Sequence, residues 1–139
     1  MALDLSSLRK AVGALRRALK VASSQIKGKV NTDNEEVIRA GVIKNFEFTY
    51  ELCWKFIKRW LEKNVGGPEI DGVTRKELFR MAAESRLIDH VTRWFKYHAA
   101  RNETAHTYDP AKADAIYSTA KLFAADAEAL LRELEKRND

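Results

Sequence analysis

A single cysteine stands among 139 residues, so no disulfide can form within the chain. Cys53 lies in a strongly apolar stretch and reads as a buried thiol of a protein from a reducing compartment, which implies a cytoplasmic address. Also lacking is any apolar run near the ~20 residues that span a bilayer. Leu3, Leu5 and Leu8 are interrupted by Asp4, Ser6, Ser7, Arg9 and Lys10, which leaves no continuous segment for a signal peptide, and no membrane association is expected. No window shows sustained strand alternation, and there is neither an internal repeat nor a low-complexity tract. Metal-ligand spacing is poor as well. Only Asn102 and His106 are suitably spaced, no cysteine or carboxylate joins them, and His98 is two helical turns from His106, so neither a metal nor another cofactor is expected.

What is present suffices for one domain over residues 1–139: 45% apolar residues can build a core without staples. Twenty-five Lys and Arg against 20 Asp and Glu leave a net charge of +5, which favours encounters with polyanions such as RNA. Much of that charge is interleaved with acids on helical faces, which is also what a plain solvated surface contains.

The patterning is helical throughout. Leu5, Leu8, Val12, Leu15, Leu19, Ala22 and Ile26 recur at spacings of three and four and predict a long amphipathic first helix. Gly28 and Asn31 to Asn34 interrupt it. A second helix is expected from about Glu35 to Glu62, with Asn64 and the Gly66-Gly67-Pro68 turn beyond its end. Thr74 and Glu77 form a capping box opening a short third helix through about Glu84. Asp89 can cap a fourth, which carries Trp94, Phe95 and Tyr97. Asp109-Pro110 is a strong start for a fifth, running through Ile116, Phe123 and Leu134, because proline at the first helical position loses no hydrogen bond.

Six of the 13 aromatic residues fall between Phe46 and Trp60 of the second helix. With Ile43, Leu52, Ile57 and Leu61 they leave few polar faces, so this helix must be covered on more than one side. It is read as the central helix of a bundle that also contributes to a homodimer interface. The polar stripe Lys44, Glu47, Glu51, Lys55 and Lys58 follows one edge, and the spacing of Glu51 and Lys55 suits an ordinary helical ion pair.

Arg101, Asn102, His106 and Tyr108 gather a guanidinium, an amide, an imidazole and a phenol within eight residues. At about 100° per residue, His98, Asn102 and His106 share one row, while Arg101 lies about 140° around from His106. The oncoming Asp109-Pro110 cap implies that the fourth helix ends near Ala105 to Thr107, which lets His106 and Tyr108 turn toward the cleft before the last helix. RNA cleavage without a metal needs a base for the ribose 2′-hydroxyl proton, an acid for the leaving oxygen, and positive charge on the transition state. Histidine supplies either proton-transfer role near neutrality, and arginine supplies paired donors that match phosphate oxygens. One histidine cannot fill both roles in one step, but two copies of the motif facing each other across a dimer can. The same Arg and His near a helix C-terminus also suit the dipole and the last carbonyls. Tyr108 at a helix end can expose its phenol or pack its ring and point only the hydroxyl to water. His90 and His98 read as surface or half-buried residues.

The run from Arg101 to Tyr108 resembles the Arg-x4-His-x-Tyr motif of HEPN-domain proteins, in particular HepT-like toxins encoded beside a minimal nucleotidyltransferase. The segment Gly41 to Leu61, GVIKNFEFTYELCWKFIKRWL, resembles their second helix, and the order of helices matches over nearly the whole chain. The resemblance implies an all-α fold, an antiparallel four-helix bundle with an additional short helix, which dimerises. It implies a metal-independent endoribonuclease in which Arg101 and His106 are catalytic with Asn102 as polar neighbour. It further implies neutralisation by the nucleotidyltransferase antitoxin, which transfers AMP to Tyr108. Relatives with this pattern have also been described as substrate-binding subunits of the nucleotidyltransferase, a reading in which the protein binds substrate or nucleotide and does not cut. A helical assembly protein whose cluster only caps a helix is the third reading.

Overall fold

The computed structural model describes residues 2–27 and 32–138. Among the described residues six α-helices follow one another: α1 (Ser6–Gln25), α2 (Asp33–Asn64), α3 (Gly67–Ile70), α4 (Arg75–Glu84), α5 (Val91–Asn102) and α6 (Pro110–Lys136), with a 3-10 turn at Glu103–His106. No strand forms among the described residues. The all-α expectation holds, with four long helices making the body.

Ion pairs and ring contacts give the directions of the helices. Arg9 pairs with Glu135 at 3.0 Å and Arg16 with Glu128 at 2.5 Å, so α1 and α6 run antiparallel. Arg39 meets Asp114 and Phe46 meets Phe123, so α2 and α6 run the same way. Lys112 meets Glu103 just beyond α5, while Arg93 reaches Asp126, which sets α5 against α6. The helices α1 and α5 therefore point one way and α2 and α6 the other.

The core is one contiguous cluster to which all the helices contribute. Phe123 of α6 is fully buried and lies 5.1 Å from the ring of Phe46, 5.8 Å from Trp94 and 5.0 Å from Tyr97. Each such burial contributes about 1.5–3 kcal/mol, and together these rings clamp α5 between α2 and α6. Cys53 is fully buried, and burial pushes its thiol pKa up. No helix among the described residues is long and apolar enough to cross a membrane.

The sequence signals place most helix ends. Thr74 accepts from the Glu77 amide at 3.1 Å, and Asp109 accepts from the Ala111 amide at 3.0 Å ahead of Pro110. Helix α2 begins at Asp33 and ends at Asn64, two residues beyond the expectation at each end. It starts early because the Thr32 side chain accepts from the Glu35 amide, and Asp33, Glu35 and Glu36 put negative charge at the positive end of the dipole. Asn34 is thus helical, while Gly28 and Asn31 lie outside the described residues.

Three expectations are corrected. Helix α5 is preceded by His90 in a left-handed conformation, φ 45°, and not capped by Asp89; no side chain caps it. The Gly66-Gly67-Pro68 segment holds the one-turn helix α3, pulled in by the fully buried Ile70, with Gly66 at φ 136° making the turn that a side chain would strain. The α-helical ladder of α5 ends at Asn102, earlier than Ala105, and tightens into the 3-10 turn. The Thr104 hydroxyl lies at this change, 2.8 Å from the Arg101 carbonyl.

Candidate active site

Arg101 occupies the last turn of α5, facing α2 across the bundle edge. Its Nε donates to Glu51 Oε1 at 3.0 Å, and its Nη1 lies 3.7 Å from Glu47 Oε2. Thr104 joins the two: Nη1 donates to its hydroxyl at 3.3 Å, and that hydroxyl donates to Glu47 at 2.6 Å. The hydroxyl bond is the first cause, ahead of Lys44 and Arg101, of a Glu47 carboxyl held below its ordinary pKa. Glu51 uses its other oxygen to accept from the Trp54 indole at 2.9 Å, and the Arg75 guanidinium stacks 3.5 Å from the Trp54 ring centroid. A row of contacts thus runs from α4 through Trp54 and Glu51 to Arg101.

This arrangement corrects the reading of the polar stripe on α2. Glu51 pairs with Arg101 across the helices, and Lys55 instead stands over the Trp54 ring. A guanidinium a third exposed gains about 0.2–1 kcal/mol from each such pair, so the contacts matter more for orientation than for stability. Nε and Nη1 are turned to α2, while Nη2 makes no hydrogen bond among the described residues and leaves a donor edge open to an anion.

The azimuth of α5 is set one turn earlier. His98 is half-buried, with Nδ1 2.8 Å from the Tyr50 hydroxyl, which also lies 3.5 Å from Arg75 Nη1. The Tyr50 hydroxyl thus bonds His98 and also accepts from Arg75, which ties α5 to α2 and α4. Burial, followed by Arg75, holds the His98 pKa below its ordinary value, and burial pushes Tyr50 up to about 12. His98 is therefore an anchor for α5.

Asn102 and His106 are both exposed, the first at the last α-helical position and the second at the end of the 3-10 turn. His106 meets Tyr108 edge to face at 5.9 Å between centroids. Tyr108 is 82% exposed. Within one chain, then, the motif splits into two pairs: Arg101 with the carboxylates of α2, and His106 with Tyr108. Behind them a cleft of about 470 Å³ opens between α2 and the start of α6, with Glu47, Thr104 and Tyr108 among its walls.

Glu47, Glu51, Thr104 and Trp54 are the site residues that sequence reasoning missed. Their one available signal was the four-residue spacing of Glu47 and Glu51, which puts both carboxylates on one helical face.

Residues 3–136 match the family described as nucleotidyltransferase substrate binding protein like. The chain belongs to this family. A Haemophilus influenzae protein named "Probable ribonuclease HepT" is 36% identical over 105 residues, 75% of this chain and 72% of that protein. A solved Haemophilus influenzae structure, described as revealing the fold of a substrate binding domain of a nucleotidyltransferase, superposes with a TM-score of 0.84 at 29% identity. It spans 95% of this chain and 99% of its own. A Thermus thermophilus crystal structure gives 0.70 at 26% identity, covering 89% and 98%. The family match thus covers nearly the whole chain, as the HepT-like resemblance implied.

Proposed function

We propose that this protein is a cytoplasmic, metal-independent endoribonuclease toxin that acts as a homodimer and is silenced by a minimal nucleotidyltransferase antitoxin through transfer of AMP to Tyr108. The observation that carries the nuclease reading is the Arg101 guanidinium, gripped from one side by Glu51, Glu47 and Thr104 and open on its Nη2 edge, five residues from an exposed imidazole. A fixed cation beside a titratable group is what phosphate chemistry needs.

In the proposed reaction, His106 of one protomer takes the 2′-hydroxyl proton as O2′ bonds to phosphorus. The bond from phosphorus to O5′ breaks as the second protomer's His106 donates a proton to that oxygen. The products are a 2′,3′-cyclic phosphate and a 5′-hydroxyl, and the Arg101 side chains balance the charge of the phosphorane-like transition state. Asn102, exposed beside Arg101, positions the phosphate.

The dimer is supported by the outer face of α2. Val37 is 72% exposed and Phe48 61% exposed on a helix otherwise dense in buried aromatics, and a second copy laid on this face would cover both. The exposure of Tyr108 supports modification there, because a phenol open to solvent is open to a partner enzyme.

A second reading, a non-catalytic subunit that presents substrate or nucleotide to the nucleotidyltransferase, is favoured by the family description and by the cleft beside Tyr108. Cleavage of RNA by the purified chain, with chelator present, separates the two. The wild type should cut, and His106→Ala should lose ~10²- to 10⁴-fold in rate while staying folded. Equal cleavage by the variant, or loss of wild-type activity on chelation, would sink the mechanism.

A further inference from the structure

The cleft between α2 and α6 carries two oddities that the cutting reaction does not use. Arg39 is over nine-tenths buried in its wall. The Asp114 carboxylate lies 3.2 Å from its Nε but is not aligned to bond it, and that nitrogen has no hydrogen-bond partner. The guanidinium lies over the Tyr117 ring at 5.6 Å, and its carboxylate partner is itself 59% exposed, whereas buried guanidinium donors are ordinarily satisfied. Tyr108, which also lines the cleft, is a large ring left 82% exposed that meets His106 edge to face. Both face the same space.

That space has the size and lining of a small-molecule site. Its volume of about 470 Å³ falls within the ~300–1,000 Å³ range of ligand pockets. Ala40, Ile43 and Ala113 give it apolar lining, and Lys44 adds a second cation, paired with Glu47, with Glu36 the other carboxylate of the lining. An aromatic ring, apolar side chains and two cations suit a nucleotide, with the base stacked on the phenol ring and the phosphate on the cations, while the Glu36 and Glu47 carboxylates suit its ribose hydroxyls. Glu47 and Thr104 line this cleft and also hold Arg101, so a group seated here adjoins a phosphate bound at Arg101.

We propose that this cleft is a nucleotide subsite of the RNA site, taking one ribonucleotide next to the scissile phosphate, with its base against Tyr108 and its phosphate toward Lys44 and Arg39. The inference rests on the ribonuclease reading for its place in a longer RNA, but not for the binding of a nucleotide. The cleft thereby selects unpaired RNA, since a base stacked on Tyr108 cannot remain in a duplex.

The test uses 5′-AMP as probe, titrated calorimetrically into the full chain, alongside the Michaelis constant for a short single-stranded RNA. Ala40 is exposed on α2, so Ala40→Trp fills the cleft without entering the core. It should weaken 5′-AMP at least tenfold and raise KM by a similar factor. Lys44→Ala should weaken 5′-AMP severalfold, while Lys10→Ala on α1, of the same charge change, should alter neither quantity. Thermal melts establish that each variant is folded. RNA cleavage by a wild type that does not bind 5′-AMP, or unchanged 5′-AMP affinity in folded Ala40→Trp, overturns the subsite and leaves the nuclease standing. Binding of 5′-AMP that Ala40→Trp abolishes, in a chain that cuts no RNA, supports the nucleotide site and overturns the nuclease instead.

Discussion

Removing the Glu51 carboxylate tests whether Arg101 is positioned by α2 or merely paired with it. In Glu51→Ala the guanidinium loses the 3.0 Å bond at Nε, and Trp54 loses the acceptor of its indole at 2.9 Å. Glu51 is about a third exposed, so its lost pair with Arg101 belongs to the solvent-screened class and costs at most about 1 kcal/mol of stability. For a chain of this size that lowers Tm by roughly 2–4 °C, leaving the protein folded at assay temperature. The effect on rate should be larger, because misplacing a transition-state group by about 1 Å can cost on the order of 10²-fold. Binding moves the other way: deleting one of two carboxylates beside Arg101 makes the site more positive for an RNA phosphate. Steady-state cleavage should therefore show kcat down by about 10- to 100-fold with KM unchanged or lower. Glu51→Gln keeps one acceptor oxygen, and should recover part of kcat by bonding Arg101 while leaving Trp54 unserved. A purely structural role would reduce the active fraction alone and leave KM and the optimum pH where they were. Wild-type kcat in Glu51→Ala would refute the positioning argument, since Glu47 and Thr104 would then suffice.

Charge on the outer face of α2 should break the dimer: Phe48→Glu is expected to sediment as a monomer at micromolar concentration and to lose RNA cleavage with it, and a monomeric wild type that still cuts RNA would remove both the interface and the need for two imidazoles. Mass spectrometry after incubation with ATP, magnesium and the partner nucleotidyltransferase should find AMP on the peptide holding Tyr108, and Tyr108→Phe should stay toxic in the partner's presence; modification confined to Tyr50, Tyr97 or Tyr117 would point to another route of inhibition. Burial and Arg75 lower the His98 pKa in the fold, so the unfolded chain takes up that proton first, and the stability linked to it is complete above about pH 6.5 and lost as pH falls through the folded value. One proton changes stability by no more than about 1.4 kcal/mol per pH unit, and denaturant titrations at pH 7.5 and 5.5 should show a smaller drop in His98→Gln than in the wild type; equal drops would show that His98 is not the group responsible. Glu47, held low chiefly by Thr104, contributes in the same direction in the more acid range below about pH 4.5.

Local chemistry determined where most of this protein becomes helical. The capping of α4 by Thr74, the start of α6 at Asp109-Pro110 and the apolar rhythm of α1 each involve residues within a turn or two of one another, and so they were legible from the chain. The residues Arg101, Asn102, His106 and Tyr108 were legible for the same reason, lying within eight consecutive positions that carry a recognisable pattern. The start of α5 escaped because its cap is a backbone conformation at His90, for which Asp89 was a false signal. Tertiary structure alone decided what Arg101 touches. Glu51 and Glu47 stand 50 and 54 positions before it, and they reach it only because Phe123 packs Phe46, Trp94 and Tyr97 together and His98 bonds Tyr50. The same packing forms the cleft behind Tyr108 and leaves Arg39 buried in its wall. Helix signals are short-range because backbone hydrogen bonds close within four residues, whereas a site between helices is a property of how their faces meet, which no single stretch of sequence contains.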